Sequence, residues 1–163
     1  MGLVLVPLLP LILVAALVAG LWFRFEKWRL RRRFEAEWGR EGKELVLVYS
    51  NSPHWRDRFE NEILPRIQEK AVVLNWSERS TPEWKRRPLE VRIFRLWGGH
   101  REFNPMAIVF SPGKKVRTIR FWQAYRDFRH GKPMPLRQKE EELFDVARLP
   151  LEERPEVPVV TFL

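Results

Sequence analysis

Residues 44–59 read ELVLVYSNSPHWRDRF. Leu45 to Tyr49 are apolar or aromatic without a break and rich in valine, as expected of a short strand buried on both faces. Polar residues end the run, and Ser52-Pro53 is a helix-start signature: a serine N-cap followed by proline at the first helical position. Asp57 would then stand near the positive end of the helix dipole. Trp55, Phe59, Ile63 and Ile67 recur every four residues and give that helix an apolar face, which Pro65 should kink. A buried strand that passes through a short polar loop into a helix is where α/β proteins commonly place their binding groups.

Towards the C-terminus, Ala71 to Asn75 (AVVLN) reads as a second buried strand. Residues 76–87 are polar and read as loop, with a helical turn after Ser80-Thr81-Pro82-Glu83. Pro88 to Trp97 predicts a helix with Leu89, Ile93, Leu96 and Trp97 on one side, stopped by Gly98-Gly99. Phe103 to Phe110 (FNPMAIVF), the turn Ser111 to Lys114 and Val116 to Phe121 (VRTIRF) predict a β-hairpin. Trp122, Tyr125 and Phe128 place a helix that ends at Gly131, and Leu136 to Phe144 a second, highly charged one. Residues 149–163, with prolines at 150, 155 and 158, should run extended over the surface.

Towards the N-terminus, Gly2 to Phe23 is a run of 22 residues without a charged side chain. As a helix it would span ~33 Å, enough to cross the core of a bilayer. Charge follows the run: Arg24, Lys27, Arg29, Arg31, Arg32 and Arg33, with Glu26 among them. That order argues for a retained anchor over a cleaved signal peptide, which would carry positive charge before its apolar stretch. The positive-inside rule puts the N-terminus outside and the remainder in the cytoplasm of a single-pass cell-membrane protein. Trp22, Phe23, Phe25 and Trp28 suit the aromatic belt at the membrane interface. Leu30, Phe34 and Trp38 continue a helix with one apolar stripe, ended by Gly39 and Gly42; its basic face would rest on anionic headgroups or, equally, be solvated in a connecting helix. The expected division is an anchor at 1–23, a basic juxtamembrane helix or linker at 24–43, a folded α/β domain at 44–131 and a helix with a proline-rich tail at 132–163.

Composition narrows the chemistry. There is no cysteine among the 163 residues, which removes disulfides, thiolate catalysis and sulfur-bound metals. The net charge of +9 is unevenly spread: residues 24–40 carry seven basic and three acidic side chains, a net +4 beside the apolar run. This distribution favours a membrane-facing role for the excess over a nucleic-acid-facing one. Arginine with exposed aromatics can bind RNA, but most of the aromatics fall at core spacing and no RNA-binding signature is present.

From residue 44 onward the order of elements is strand, helix, strand, helix, hairpin, helix. That order resembles the thioredoxin-like superfamily. Two local features carry the resemblance: the loop Val48 to Trp55 (VYSNSPHW), where thioredoxin-like proteins hold Cys-x-x-Cys, and Asn104-Pro105-Met106, where they have a cis-proline before the third strand. The resemblance implies a cis bond at Pro105 and a shallow groove around the helix start. Without cysteine the redox chemistry of the family is lost. The groove would then serve binding, with Ser50, Ser52, His54, Trp55, Asn104 and Pro105 lining the contact with an extended segment of a protein partner at the membrane.

The alternative within the same fold is a glutathione-type enzyme or other small-ligand binder using the hydroxyl of Ser50 or Ser52. It is opposed by Ser52's simpler role as an N-cap and by too few residues after 131 for a second helical domain. His54, His100 and His130 have no metal-ligand spacing, Asp57 and Asp127 read as helix-surface charges, and Gly98-Gly99 lacks the residues of a phosphate loop. The sequence thus predicts no cofactor and no catalytic constellation, only a membrane-anchored interaction domain or a basic binder of lipid headgroups or nucleic acid.

Overall fold

The computed structural model describes residues 9–82, 86, 88–99 and 104–155. It has mixed α/β architecture. Four strands, β1 (Leu45–Tyr49), β2 (Ala71–Asn75), β3 (Met106–Val109) and β4 (Arg117–Arg120), form one sheet in the order β2-β1-β3-β4. β1 pairs parallel with β2 and antiparallel with β3, and β3 pairs antiparallel with β4. The all-apolar strand ELVLVY is thus an interior strand, with every residue from Leu45 to Tyr49 buried.

Helices cover both faces, as the continuous hydrophobicity of β1 requires. One face packs Leu45, Leu47 and Tyr49 under α2 (residues 56–67), α4 (Trp122–Arg129) and α5 (Met134–Ala147). The other packs Val46 and Val48 under α3 (Pro88–Gly98) and the C-terminal part of α1 (Leu9–Glu37).

α1 is one unbroken helix of 29 residues, ~44 Å long at 1.5 Å per residue. It is long and apolar enough to cross a membrane, and its apolar side chains from Leu9 to Leu21 are exposed, with no packing partner among the described residues. Its last third behaves differently. Leu30 and Phe34 are 1% exposed, and Phe34 stacks on Phe110 with ring centroids 4.2 Å apart. The predicted stripe of Leu30, Phe34 and Trp38 therefore faces the sheet, and residues 24–43 share the core of the domain they precede. A 3₁₀ turn, Gly39–Glu41, ends the helix at Gly42, whose φ of 76° is open to glycine at no steric cost.

α2 departs from the expected pattern at both ends. No side chain caps it, and regular helix begins at Arg56. The loop first makes a turn at residues 53–55, in which Ser52 accepts through its backbone oxygen from the N–H groups of Trp55 and Arg56. In place of a simple kink at Pro65, Phe59–Ile63 is π-helical between α-helical Arg56–Arg58 and Leu64–Ile67. Proline has no N–H to donate, and its ring would crowd the carbonyl of Asn61 four residues back. A widened turn before it relieves both problems.

The C-terminal helix is longer than its predicted span and belongs to the same core: Leu136, Leu143 and Phe144 are buried with the α2 face. Arg58 and Glu140, 8% and 1% exposed, tie α2 to α5. Arg58 donates from Nε to Glu140 Oε1 at 2.7 Å and from Nη2 to Oε2 at 2.6 Å, with Glu62 accepting from Nη1. Burial pushes the Glu140 carboxyl up despite these bonds, and Glu140 raises the Arg58 guanidinium despite its own burial. Beyond α5 a short 3₁₀ helix, Leu151–Glu153, interrupts the expected extended tail. Glu83, His100, Phe103 and Pro158 lie outside the described residues.

Candidate functional site

β1 and β2 run parallel, so their carboxyl ends open on the same side of the sheet. The chain leaves β1 for α2 on one face and β2 for α3 on the other, a divergence at which open α/β sheets commonly bind ligands. Ser50, Ser52, His54 and Trp55 all stand in the loop on this side. The β1–β3 register ends at Val48↔Met106. Continued by two residues, it brings Asn104-Pro105 alongside Tyr49-Ser50. The topology thus gathers the six predicted groove residues at one end of the sheet.

Their environments differ. Trp55 is partly buried against the core, its indole Nε1 donates to the Ser50 carbonyl at 3.0 Å, and its ring lies 5.9 Å from that of Tyr125. It holds the loop down as much as it presents a surface. The Ser52 hydroxyl accepts a long bond from the His54 backbone N–H, at 3.5 Å. His54 is exposed, with Nε2 3.1 Å from Nη1 of Arg129 on α4. Arginine only donates, so Nε2 is the acceptor in that contact.

The Asn104–Pro105 bond is cis, as the resemblance implied. Pro105 is buried, and its carbonyl accepts from the N–H of Phe121 at 3.0 Å, tying the start of β3 to the end of β4. Asn104 Oδ1 is buried and has no hydrogen-bond partner among the described residues. A buried acceptor without a donor is costly, and here it lies beside a loop that exposes His54 and Asn51.

A second polar cluster at the same strand ends was not anticipated. Asn75, the last residue of β2, is buried, and its Nδ2 donates to Asn51 Oδ1 at 2.7 Å and to Glu78 Oε1 at 3.1 Å. Its Oδ1 accepts from the Ser77 N–H, and the Ser77 hydroxyl accepts from the Asn51 N–H at 2.9 Å. These bonds fasten the loop after β1 to the loop after β2. An asparagine closing a buried apolar run, where strand propensity disfavours it, is the sequence signal for this clamp.

Below the loop, Tyr49 donates its hydroxyl to Glu60 at 3.1 Å, and Arg56 donates to the same carboxylate at 2.9 Å. Burial, reinforced by the Glu60 acceptor, pushes the Tyr49 phenol up to about 12. Among the described residues no cluster of three His, Asp or Glu is placed to hold a metal ion, and no serine–histidine side-chain contact appears among the hydrogen bonds of this loop. The site offers hydrogen bonding and aromatic surface.

The cations predicted to face headgroups divide into two sets. Arg24, Arg32 and Arg33 are exposed. Arg29 pairs with Glu26, Lys27 lies 4.4 Å from the Phe23 ring and 5.9 Å from Trp97, and Arg31 turns onto the β3–β4 turn. Comparison with family models, with curated proteins and with solved structures finds no match to this chain.

Proposed function

We propose that the chain is a single-pass membrane protein whose folded part is a thioredoxin-like domain without redox chemistry. In this reading the 50–55 loop and Asn104-Pro105 receive an extended segment of a protein partner at the membrane. The fold reading is supported by a parallel strand–helix–strand unit and a hairpin on one sheet, with a cis-proline immediately before β3. The loop that would carry the redox cysteines has Ser50-Asn51-Ser52-Pro53-His54-Trp55 instead.

One observation carries the binding reading: the loop at the end of β1 exposes Asn51 and His54 on the side where the partly exposed Asn104 precedes β3, polar groups against which an extended segment could pair. The membrane reading rests on the unpacked apolar surface of α1 from Leu9 to Leu21, too large a patch to leave in water. The cations that follow it orient the domain to the cytoplasm of the cell membrane.

Because the chain has no cysteine, single cysteines can carry a photo-cross-linker without background. His54→Cys in native membranes should give one discrete protein adduct. Arg137→Cys, on the exposed surface of α5, should give none, and Asn104→Ala should weaken the His54→Cys adduct. Equal adducts from both positions, or none from position 54, would refute the groove.

A further inference from the structure

A second concavity lies away from this loop. An open groove of about 670 Å³ runs between α1 and the β3–β4 turn, with Trp28, Arg31, Arg32, Glu35 and Arg40 on one wall and Pro112-Gly113 on the other. Three arginines against one glutamate leave these lining residues a net charge of +2. Lys114 and Lys115, both exposed, extend the positive charge past the turn.

Arg31 builds the groove. Its Nη1 donates to the Lys114 carbonyl at 2.7 Å, its Nη2 to the Ser111 carbonyl at 3.4 Å and its Nε to Glu35 at 2.8 Å. The turn is thereby fixed against the helix, with each of the three Arg31 nitrogens already donating once. Arg32 is different: 68% exposed, 3.9 Å from Glu35 and resting 5.9 Å from the Trp28 ring. Arg40 is likewise exposed.

Position along the helix indicates what occupies the groove. Trp28 is the last of the exposed aromatics that suit a membrane interface, and it stands at one end of the groove. Arg31 and Arg32 follow three and four residues later, ~4.5–6 Å further along the axis. The headgroup layer of one leaflet is ~5–7 Å deep, so Arg32 reaches phosphate depth when the Trp28 indole lies at the acyl boundary, while Arg40, eight residues further on, lines the same groove from its aqueous side. We propose that this groove binds the phosphate-bearing headgroup of an anionic phospholipid, with Arg32 and Arg40 as its cationic contacts and Arg31 as the residue that positions the turn. The inference rests on the membrane reading of α1.

The test uses the full chain in a mild detergent, titrated with dioctanoyl phosphatidylglycerol and followed by native mass spectrometry. One lipid should bind in preference to dioctanoyl phosphatidylcholine. Arg32→Gln/Arg40→Gln should bind about 30-fold more weakly, with its near-ultraviolet circular dichroism unchanged. Arg24→Gln/Arg33→Gln, an equal loss of charge outside the groove, should leave affinity nearly as it was. Equal weakening by both pairs would reduce the effect to diffuse juxtamembrane charge and overturn the site. Equal binding of phosphatidylcholine would overturn charge recognition, and complete displacement by excess inorganic phosphate would make it a site for free anions. Release of the chain from native membranes by alkaline carbonate would refute the anchor itself, independently of the detergent titration.

Discussion

Replacing Phe34 with alanine separates two views of the segment after the apolar run. A solvated linker helix would tolerate Phe34→Ala within about 0.5 kcal/mol, as surface positions do. The structure predicts otherwise. Phe34 is 1% exposed, stacks on Phe110 at 4.2 Å and meets the Trp38 ring edge-on at 5.3 Å. Truncating a fully buried phenylalanine costs about 3–5 kcal/mol through lost transfer energy and the cavity left behind. The aromatic pairs place the expected value in the upper half of that range. Urea unfolding of the full chain in mild detergent, followed by tryptophan fluorescence, measures it. Phe25→Ala, half exposed on the same helix, is the control. A Phe34→Ala midpoint matching that control would refute the packing of α1 into the core. Two truncations check the same point: removing residues 1–23 should leave a soluble domain, whereas removing 1–43 uncovers the Val46, Val48 and Phe110 face and should give aggregates.

Other expectations concern the far side of the sheet and the loop. Glu140→Gln leaves Arg58 buried with only Glu62 to answer it and should cost about 3 kcal/mol. Arg58→Met/Glu140→Leu should recover most of that loss, and a double variant no more stable than the single one would contradict the assignment. The Tyr49 pKa is raised from 10 to about 12, so its contribution is complete below pH 10 and is lost as pH climbs through about 12. Between those limits the parent chain should lose about 2 kcal/mol more than Tyr49→Phe, read from unfolding curves at each pH. Asn75→Ala removes the clamp between the two strand-end loops; amide exchange across residues 50–55 should accelerate, with a stability cost of about 1–2 kcal/mol.

The elements that sequence periodicity could locate are those whose apolar spacing is strong. Leu45 to Tyr49 is a buried strand, Phe59, Ile63 and Ile67 share the core face of α2, and Leu30 and Phe34 share that of α1. Periodicity says which face is apolar but not what covers it, so the stripe on α1 was compatible with lipid, solvent or the sheet. The π-helical turn was not legible, since Pro65 announces a disturbance without specifying its form. The start of α2 was misplaced because a serine–proline pair serves a turn as well as an N-cap, and the anchoring of Trp55 to Ser50 selects the turn. The Arg58–Glu140 pair joins residues 82 positions apart, a separation at which local pattern carries no information. Within the candidate site the loop stood out through its strand-to-helix junction and Pro105 only through the resemblance, whereas the Asn51–Asn75 clamp needed the parallel pairing of β1 and β2 to bring it together.

The unbroken course of α1 has a mechanical consequence. A hinge between a membrane span and its domain would let each take its own orientation, but here the helix that would cross the bilayer also contributes Leu30 and Phe34 to the domain core. Membrane helices tilt by ~20° on average, and a thinner bilayer makes them lean further. A rigid lever that leans by ~20° displaces a point ~30 Å from its pivot by ~10 Å. Bilayer thickness would therefore set how far the 50–55 loop stands from the lipid surface and which way it points.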